Sequence, residues 1–402
     1  MKVHRPDLKA GLVLPGGGAR GAFQVGVLKA LSELLPVKAA NPFPVISGTS
    51  AGAINSVVLA SKSRHFRVAV AELERVWGHF HSGQVFRTDS WTMLKSSLHW
   101  FTSVVLGGFV VGMPKSLLDN TPLRNLLSRN LRFPRIQTSI DSGHLHAVAV
   151  TAAGYGSARS TTFFQGAESN EPWSRTRRIG IRQRLHLDHL MASIAVPMIF
   201  PPVLIEHEYF GDGAMRQATP LSPAIHLGAD RILVIGVRDE VGDVATDDPP
   251  RYPNFAQIAG YMLDTLFIDG LYSDLERMTR INQLIDAVPP EHRRGPLQTM
   301  RPIDTMMIVP SKDLRALAFE HRDEMPLPLR VLLRGIRGHN KSENRLLSFL
   351  LFEQAYTKAL IELGYSDAMR VKDQLVTFVT GGEVPRLFAP DWINRDLSAL
   401  NG

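Results

Sequence analysis

The stretch that decides the fold of this chain is Pro44–Asn55, which reads Pro-Val-Ile-Ser-Gly-Thr-Ser-Ala-Gly-Ala-Ile-Asn. Val45 and Ile46 close a short apolar run that is typical of a buried strand. The run Ala51–Ala60 is rich in Ala, Val and Leu and carries no charge, which is typical of a buried helix. The stretch therefore predicts a strand, a very short turn and a helix.

The turn between them contains the pattern Gly48-x-Ser50-x-Gly52. The two glycines remove side chains that would clash as the backbone reverses, so the serine hydroxyl is lifted to the end of the sheet. The N-terminus of the following helix points its amide dipole at that hydroxyl. An acyl-transfer nucleophile needs this geometry, and Ser50 is our candidate nucleophile.

A second glycine-rich loop lies nearer the start of the chain. Lys9–Leu14 predicts a strand, Pro15–Gly21 reads Pro-Gly-Gly-Gly-Ala-Arg-Gly, and Ala22–Leu35 has apolar residues at helical spacing. Such a loop presents bare backbone amides to an anion at a helix N-terminus. The anion is either a bound phosphate or the oxyanion of a tetrahedral intermediate.

Gly16-x-Gly18-x-x-Gly21 also fits the dinucleotide-binding fingerprint. That fingerprint requires an acidic residue about 20 positions further on, at the end of the second strand. The nearest acidic residue, Glu33, falls inside the predicted first helix, and no Gly-Lys-Ser/Thr follows the glycines. The sequence therefore disfavours a nucleotide site.

Three motifs in order, Pro15–Gly21, Gly48–Gly52 and Asp212–Ala214, resemble those of the patatin-like phospholipase family. The resemblance covers about residues 8 to 237, although Ala214 stands where many members carry Gly. Two further pieces share it, Leu118–Leu123 and Ala192–Pro197, the latter continuing to Phe200-Pro201.

The resemblance implies a three-layer α/β/α sandwich with a central mixed sheet, and the sequence pattern beyond it predicts a helical C-terminal extension. It also implies a catalytic dyad, in which Ser50 is the nucleophile and Asp212 the proton acceptor, with no metal and no cofactor. The oxyanion hole would be formed by Gly16, Gly17 and Gly18. The remaining motif positions are Arg20, Gly21, Gly48, Gly52 and Gly213.

A histidine-based triad stays open at this stage, because the chain has 14 histidines. His226 and His292 follow Asp212 in the order that an α/β-hydrolase triad would require. Asp119 and Asp141 are metal ligands by residue type only, with no supporting spacing.

The composition of the chain limits the kinds of fold and site that it can form. The 402 residues are 44% hydrophobic, which is enough for a large core, and the absence of Cys excludes disulfides, a thiol nucleophile and Cys-ligated metals. The net charge of +7 suits an anionic membrane, nucleic acid or simply a solvated basic surface. The polar start, Met1–Ala10, predicts no signal peptide and hence a cytoplasmic protein, peripheral on the inner face of a membrane if it binds one.

Two segments bear on membrane contact. Leu98–Met113 is uncharged but shorter than the about 20 residues of a spanning helix and contains three glycines, which leaves a core segment, a lid and a membrane segment open. Trp173–Arg184 holds five arginines and favours a solvated basic loop over contact with anionic head groups. It lacks the interleaved aromatic residues that single-stranded nucleic acid would need, so we expect no nucleic-acid partner.

The rest of the chain is predicted as follows. Strands are expected at Leu145–Ala152, Thr161–Gln165, Arg231–Val237 and Ile303–Val309, with a hairpin at Val203–Ile205 and Glu208–Phe210. Helices are expected at 64–89, Leu187–Ala195, Phe255–Ala287, Asn344–Leu363 and Ala368–Val379, and loops at Asp239–Pro253 and Pro289–Pro302. Residues 8–237 would form the catalytic core and 238–402 a mostly helical extension, in which 303–309 completes the sheet.

The sequence thus predicts a serine acyl hydrolase that acts on a phospholipid or another lipid ester through an acyl-serine intermediate. The alternative is a catalytically silent membrane or protein adaptor on the same fold, against which the intact motifs argue. The sequence makes no prediction of the oligomeric state.

Overall fold

The structure is a computed structural model, and it describes residues 9–87, 116–237, 255–327, 329–330 and 343–389. The segments Leu98–Met113 and Asp239–Pro253, for which the sequence makes predictions, lie outside these ranges.

The strands in chain order are β1 (Ala10–Leu14), β2 (Val45–Thr49), β3 (Ala147–Gly154), β4 (Ser160–Gly166), β5 (Trp173–Arg175), β6 (Arg178–Arg182), β7 (Val203–Ile205), β8 (Glu208–Asp212), β9 (Arg231–Ile235), β10 (Asp304–Ile308) and β11 (Leu387–Phe388). They form one sheet in the order β11-β10-β9-β1-β2-β3-β4-β6-β5, with the β7–β8 hairpin attached to β3. The pairs from β11 to β3 are parallel, whereas β3–β4, β3–β8 and β5–β6 are antiparallel.

The helices are α1 (Gly21–Leu34), α2 (Ala51–Ser61), α3 (Phe66–Trp77), α4 (Ser82–Val85), α5 (Thr121–Asn130), α6 (Pro134–Asp141), α7 (Leu187–Ser193), α8 (Ser222–His226), α9 (Phe255–Ala287), α10 (Leu314–Glu320), α11 (Glu343–Leu350), α12 (Gln354–Arg370) and α13 (Lys372–Val379). Over the described ranges, no helix combines the length and the apolar character that crossing a membrane would require.

The sheet lies between two helical layers because successive strand residues point to opposite faces. On β2, Ile46 packs into one hydrophobic cluster with Phe23 of α1, while Val45 packs into another with Leu275 of α9. The first layer also contains α2, α3 and α12, and the second contains α8. The predicted three-layer α/β/α sandwich with a mixed central sheet is confirmed.

The sheet register explains how two distant parts of the chain meet at one edge. Parallel β2 runs beside β3 as far as Thr49, which lies opposite Thr151. Beyond that point, β8 pairs antiparallel with the same edge of β3, with Asp212 opposite Ala152. The C-terminal ends of β2 and β8 therefore meet head-on, which brings together Ser50, the residue after β2, and Asp212, the last residue of β8.

Most predicted elements coincide with observed ones within one or two residues, among them the helix Phe255–Ala287 and the β7–β8 hairpin. The predicted strand at 303–309 corresponds to β10, which pairs with β9 and carries β11 on its other side.

The prediction of a basic loop at Trp173–Arg184 is wrong. β5 and β6 form a hairpin at the edge of the sheet, with β6 parallel to β4. Its anchor is Trp173, whose ring stacks on Phe164 with centroids 5.2 Å apart. The arginine content concealed the strands because edge-strand arginines remain exposed to water.

The predicted C-terminal helices are also corrected. The expected helix Asn344–Leu363 is two helices, α11 and α12, because the chain breaks helical geometry at residues 351–353, where Leu351 is fully buried. α12 then continues past Ala368, so that position does not begin a helix. Asp367 fixes this end of α12 by accepting hydrogen bonds from the Ser311 N–H and hydroxyl.

Candidate active site

The Ser50 turn adopts a backbone conformation that side chains rarely take. Ser50 has φ 55° and ψ −128°, and it directly precedes the first residue of α2. Positive φ at a residue other than glycine is strained by about 1–3 kcal/mol, so the surroundings must hold it. The Ser50 N–H donates to the Ser193 Oγ at 2.9 Å, and the Ser193 hydroxyl donates to the Thr151 carbonyl at 2.7 Å.

The two glycines of the turn are required by close backbone contacts. A Cβ on Gly52 would overlap the carbonyl groups of Leu14 and Pro15 at the end of β1, and a Cβ on Gly48 would overlap the Ser56 hydroxyl. Bare glycine therefore allows the start of α2 to lie against β1 and the glycine loop.

Asp212 ends β8 with its side chain fully buried at the site. Its N–H donates to the Ala195 carbonyl at 2.8 Å, and its Oδ1 accepts the Ala214 N–H at 2.9 Å. Oδ2 is buried and, within the described ranges, has no partner of full hydrogen-bond geometry. The nearby Ser50 hydroxyl acts on this carboxyl as a looser hydrogen-bond donor.

Burial governs the acidity of this carboxyl. It raises the pKa of Asp212 to about 7, although hydrogen bonding from the Ser50 hydroxyl and the Ala214 N–H acts to lower it. A carboxylate with a pKa near neutrality holds a proton far better than an ordinary one. Asp212 therefore has the proton affinity that a general base needs near pH 7.

The C-terminal end of α7 supports both residues. Ser193 holds the Ser50 backbone, and Ala195, two residues later, holds the backbone of Asp212. Reasoning from the sequence missed these supporting roles, although the piece Ala192–Pro197 that resembles the family contains both positions.

The glycine loop meets the same site from the end of β1. Gly16 and Gly17 are buried, while Gly18 is half-buried, has φ +55° and lines the same cavity as Ser50. The Gln24 amide fixes the start of the loop by donating to the Pro15 carbonyl at 2.9 Å.

A buried polar network continues from Gln24. The Asn55 amide donates to the Gln24 Oε1, and the Trp77 indole N–H donates to the Asn55 Oδ1, each at 2.9 Å. Two motif glycines lie in close contacts nearby: Gly21 starts α1 against Ala51 and Trp77, and Gly213 lies against the Thr151 carbonyl.

Arg20 joins the glycine loop to the C-terminal helix α11. It is 1% exposed, its Nε and Nη2 donate to the Ser348 Oγ at 3.0 and 2.6 Å, and its guanidinium lies 3.9 Å from the Phe349 ring centroid. A Cβ on Gly18 would overlap the Phe349 carbonyl oxygen. Ala214, the residue that departs from the family pattern, also packs against the cluster that Leu346, Phe349 and Leu350 of α11 form.

An apolar cavity, partly open to solvent, begins at Ser50 and Gly18. α2 supplies Ile54 and Val58 to its wall, and α11 supplies Phe349. The other walls come from α3, α5 and the segment after α7, with Leu73, Trp77, Leu123, Leu127 and Phe200 among the lining side chains.

The two histidines that a triad would need lie elsewhere. His226 is in the opposite helical layer, where its ring stacks on Trp173 at 4.7 Å. Burial, with Arg175 and Arg178 nearby, lowers the pKa of His226 to about 4. His292 is exposed in a turn after α9.

The aspartates considered as metal ligands are engaged locally. Asp119 accepts hydrogen bonds from the Thr121 N–H and hydroxyl, and Asp141 accepts one from the Gln137 amide. Within the described ranges, no group of three His, Asp or Glu side chains is placed to hold a metal ion.

The sequence model of patatin-like phospholipases matches residues 12–225, which is more than half of the 402 residues. The chain belongs to the patatin-like phospholipase family. The matched part of this patatin-like chain contains the glycine loop, the Ser50 turn and Asp212.

Individual proteins are similar to this chain either over a short stretch or at low sequence identity. Lysophospholipase nte1 of Aspergillus terreus is 56% identical over 50 residues, which are 12% of this chain, and the chain spans only 3% of the length of that relative. VipD from Legionella pneumophila is 13% identical with a TM-score of 0.32, over 92% of this chain and 67% of VipD. ExoU–SpcU, a heterodimeric complex from the type III secretion system of Pseudomonas aeruginosa, gives 15% identity and a TM-score of 0.26, over 93% of this chain and 77% of the matched one.

Proposed function

We propose that this patatin-like protein hydrolyses lipid esters, phospholipids among them, with Ser50 as nucleophile and Asp212 as its base. The observation that carries the proposal is the meeting of the Ser50 turn with a buried carboxyl of pKa about 7 at one end of an apolar cavity. An ester with a long acyl chain needs both features, a reactive end and a dry channel.

In the first half-reaction, the Ser50 Oγ attacks the ester carbonyl carbon while Asp212 Oδ2 takes the hydroxyl proton. Oδ1 is engaged by the Ala214 N–H, which leaves Oδ2 to act as the base. The tetrahedral intermediate then breaks the bond to the leaving alcohol, and Asp212 returns the proton to the departing oxygen.

In the second half-reaction, a water molecule attacks the acyl-Ser50 ester and gives its proton to Asp212. Collapse of this second intermediate releases the carboxylic acid and returns the proton to Ser50. Each cycle consumes one water and leaves the dyad as it began.

The glycine loop would stabilise the oxyanion of both intermediates through backbone N–H groups of Gly16, Gly17 and Gly18. Gly18 lines the cavity beside Ser50, which supports this role. Loss of one such donor typically lowers the rate about 100- to 1000-fold.

Peripheral contact with an anionic membrane surface is part of the proposal. The β5–β6 hairpin and the segment just after it expose four arginines, Arg175, Arg177, Arg182 and Arg184. Each arginine near an anionic surface contributes about 1 kcal/mol of attraction, which salt weakens.

A fluorophosphonate probe tests the proposal, because it reacts with an activated serine. We expect it to label wild-type protein at Ser50 and to leave the folded variants Ser50→Ala and Asp212→Asn unlabelled. His226→Ala, which changes the opposite layer, should label as the wild type does. A folded wild-type protein that neither reacts with the probe nor hydrolyses any ester would instead be an adaptor.

A further inference from the structure

The cavity follows one face of helix α2 away from the nucleophile. Ser50, Ile54 and Val58 all line it, at positions i, i+4 and i+8, which lie above one another on a helix. Eight residues of helix rise about 12 Å. The lining therefore reaches about 12 Å from Ser50 along this wall.

Helix α3 shows which end of the cavity is which. Trp77 lies beside the catalytic end, because its indole donates to Asn55 in the second turn of α2. Leu73 lines the cavity about one turn of α3 further from the catalytic end than Trp77. Its neighbour Glu72, which is further still from that end, also lines the cavity. Glu72 forms an ion pair with Lys62, the residue that directly follows α2.

The distal end is thus polar, whereas the walls are apolar. Glu72 lines the cavity there, with Lys62 held against it. The side chains of Lys62 and Glu72 are only 22% and 18% exposed. A methylene group gains nothing by leaving the apolar walls for a charged pair or for water.

We propose that this polar end, built by Glu72 with Lys62, sets the length of acyl chain that the protein prefers. The inference rests on the proposed function for its substrate class, a lipid ester cleaved at Ser50. An extended hydrocarbon chain advances about 1.25 Å per carbon, given a bond length of about 1.5 Å. The 12 Å wall therefore accommodates about ten carbons beyond the carbonyl.

The dependence on chain length follows from hydrophobic burial. Each methylene buried against the walls strengthens binding about fourfold. Once the chain end reaches Glu72, further methylenes add no apolar contact. kcat/KM should rise with chain length up to about ten carbons and then stop rising.

The first experiment measures kcat/KM for a series of nitrophenyl esters from four to eighteen carbons, below their aggregation limits. We expect a break near ten carbons. Equal kcat/KM at every length, or an unbroken rise to eighteen carbons, overturns the proposal while leaving the hydrolase function intact.

Variants at the distal end locate the break. Glu72→Leu replaces the charge with apolar surface and should move the break to longer chains. Glu74→Leu is the matched control, because Glu74 lies on the same helix and also pairs with a lysine, Lys29, but does not line the cavity. A break that moves equally in both variants, or in neither, contradicts the assignment.

Narrowing the cavity at the far end of the α2 wall should shift the break in the opposite direction. Val58→Phe should move the break to shorter chains, and Leu127→Phe on the facing helix α5 serves if the first variant does not fold. A folded narrowing variant with the wild-type break would show that chains do not follow α2.

Fatty-acid binding to the Ser50→Ala variant, measured by calorimetry, separates this inference from the proposed function. Affinity that rises to about ten carbons and then levels supports the length limit even if the wild type cleaves no ester. Absence of binding at every length, in a folded variant, overturns it.

Discussion

The backbone N–H of Ser50 donates a hydrogen bond to the hydroxyl of Ser193, 143 residues later in the chain. The Ser193 hydroxyl in turn donates a hydrogen bond to the Thr151 carbonyl on β3, so one hydroxyl ties the Ser50 turn to the sheet. The strained backbone of Ser50 is therefore held in place by a side chain outside the turn.

Ser193→Ala should lower kcat about tenfold or more with a smaller effect on KM. The substitution leaves the buried Ser50 N–H without its acceptor, and an unsatisfied buried donor costs about 1–3 kcal/mol. Steady-state kinetics and thermal unfolding check this together. Ser63→Ala is the control, since Ser63 is also a fully buried serine, and its hydroxyl donates to the Leu59 and Ala60 carbonyls at the end of α2 rather than supporting Ser50. Equal kinetic losses in the two variants would assign Ser193 a merely structural role.

Gly18→Ala should abolish most esterase activity and loosen α11. The new Cβ would overlap the Phe349 carbonyl, so the glycine loop and α11 can no longer keep their present contact. Probe labelling at Ser50 and protease sensitivity of residues 343–352 measure the two effects. Gly295→Ala is the control. Gly295 also has a positive φ, +58°, but a Cβ there would meet no other atom, so this variant shows the cost of alanine at positive φ without a steric clash. A Gly18→Ala protein as active as Gly295→Ala would show that the loop tolerates displacement.

Flotation with vesicles tests the arginine edge of the sheet. Replacing Arg175, Arg177 and Arg184 by alanine should weaken binding to phosphatidylserine vesicles at low salt, and high salt should weaken wild-type binding likewise. The control replaces three exposed arginines from other surfaces, Arg64, Arg132 and Arg294. Equal losses of binding in both triple variants would show that net charge alone drives the binding. Absence of wild-type binding at low salt would contradict the membrane proposal.

Local patterns predicted the elements of the site well. The sequence around Ser50 predicts a strand, a turn and a helix, and β2 and α2 flank Ser50 as expected. Signals of this kind depend on neighbouring residues, which a sequence displays directly. The same holds for the strand–loop–helix unit around the glycine loop.

Relationships across the chain were not predictable. Arg20 and Ser348 are 328 positions apart, and no local pattern marks their hydrogen bonds. The meeting of β2 and β8 depends on the sheet register, because both strands use the same flank of β3. The polar end of the cavity likewise depends on how α3 packs against α2, which the periodicity of each helix alone does not determine.

The activity should depend on pH through Asp212. Its carboxyl must be ionised to accept the Ser50 proton, and burial raises its pKa to about 7. kcat/KM should therefore fall about tenfold per pH unit below about pH 7 and level above it, as measured with a neutral ester. A flat profile from pH 5 to 8 would exclude Asp212 as the base.

The same carboxyl should make the fold less stable as the pH rises. The folded state holds its proton up to about pH 7, whereas the ordinary carboxyl loses it near pH 3.8, so folding binds a proton between these values. Its contribution to the free energy of unfolding is complete below about pH 4 and is lost as the pH rises through 7. Asp212→Asn keeps a neutral group at every pH, and it should gain stability over the wild type from pH 4 to 8, on the order of 4 kcal/mol at most. Urea unfolding at several pH values measures this difference. Asp141→Asn, at an exposed position, is the control. A pH-independent difference between Asp212→Asn and the wild type would show that the carboxyl ionises in the folded protein as it does in the unfolded chain.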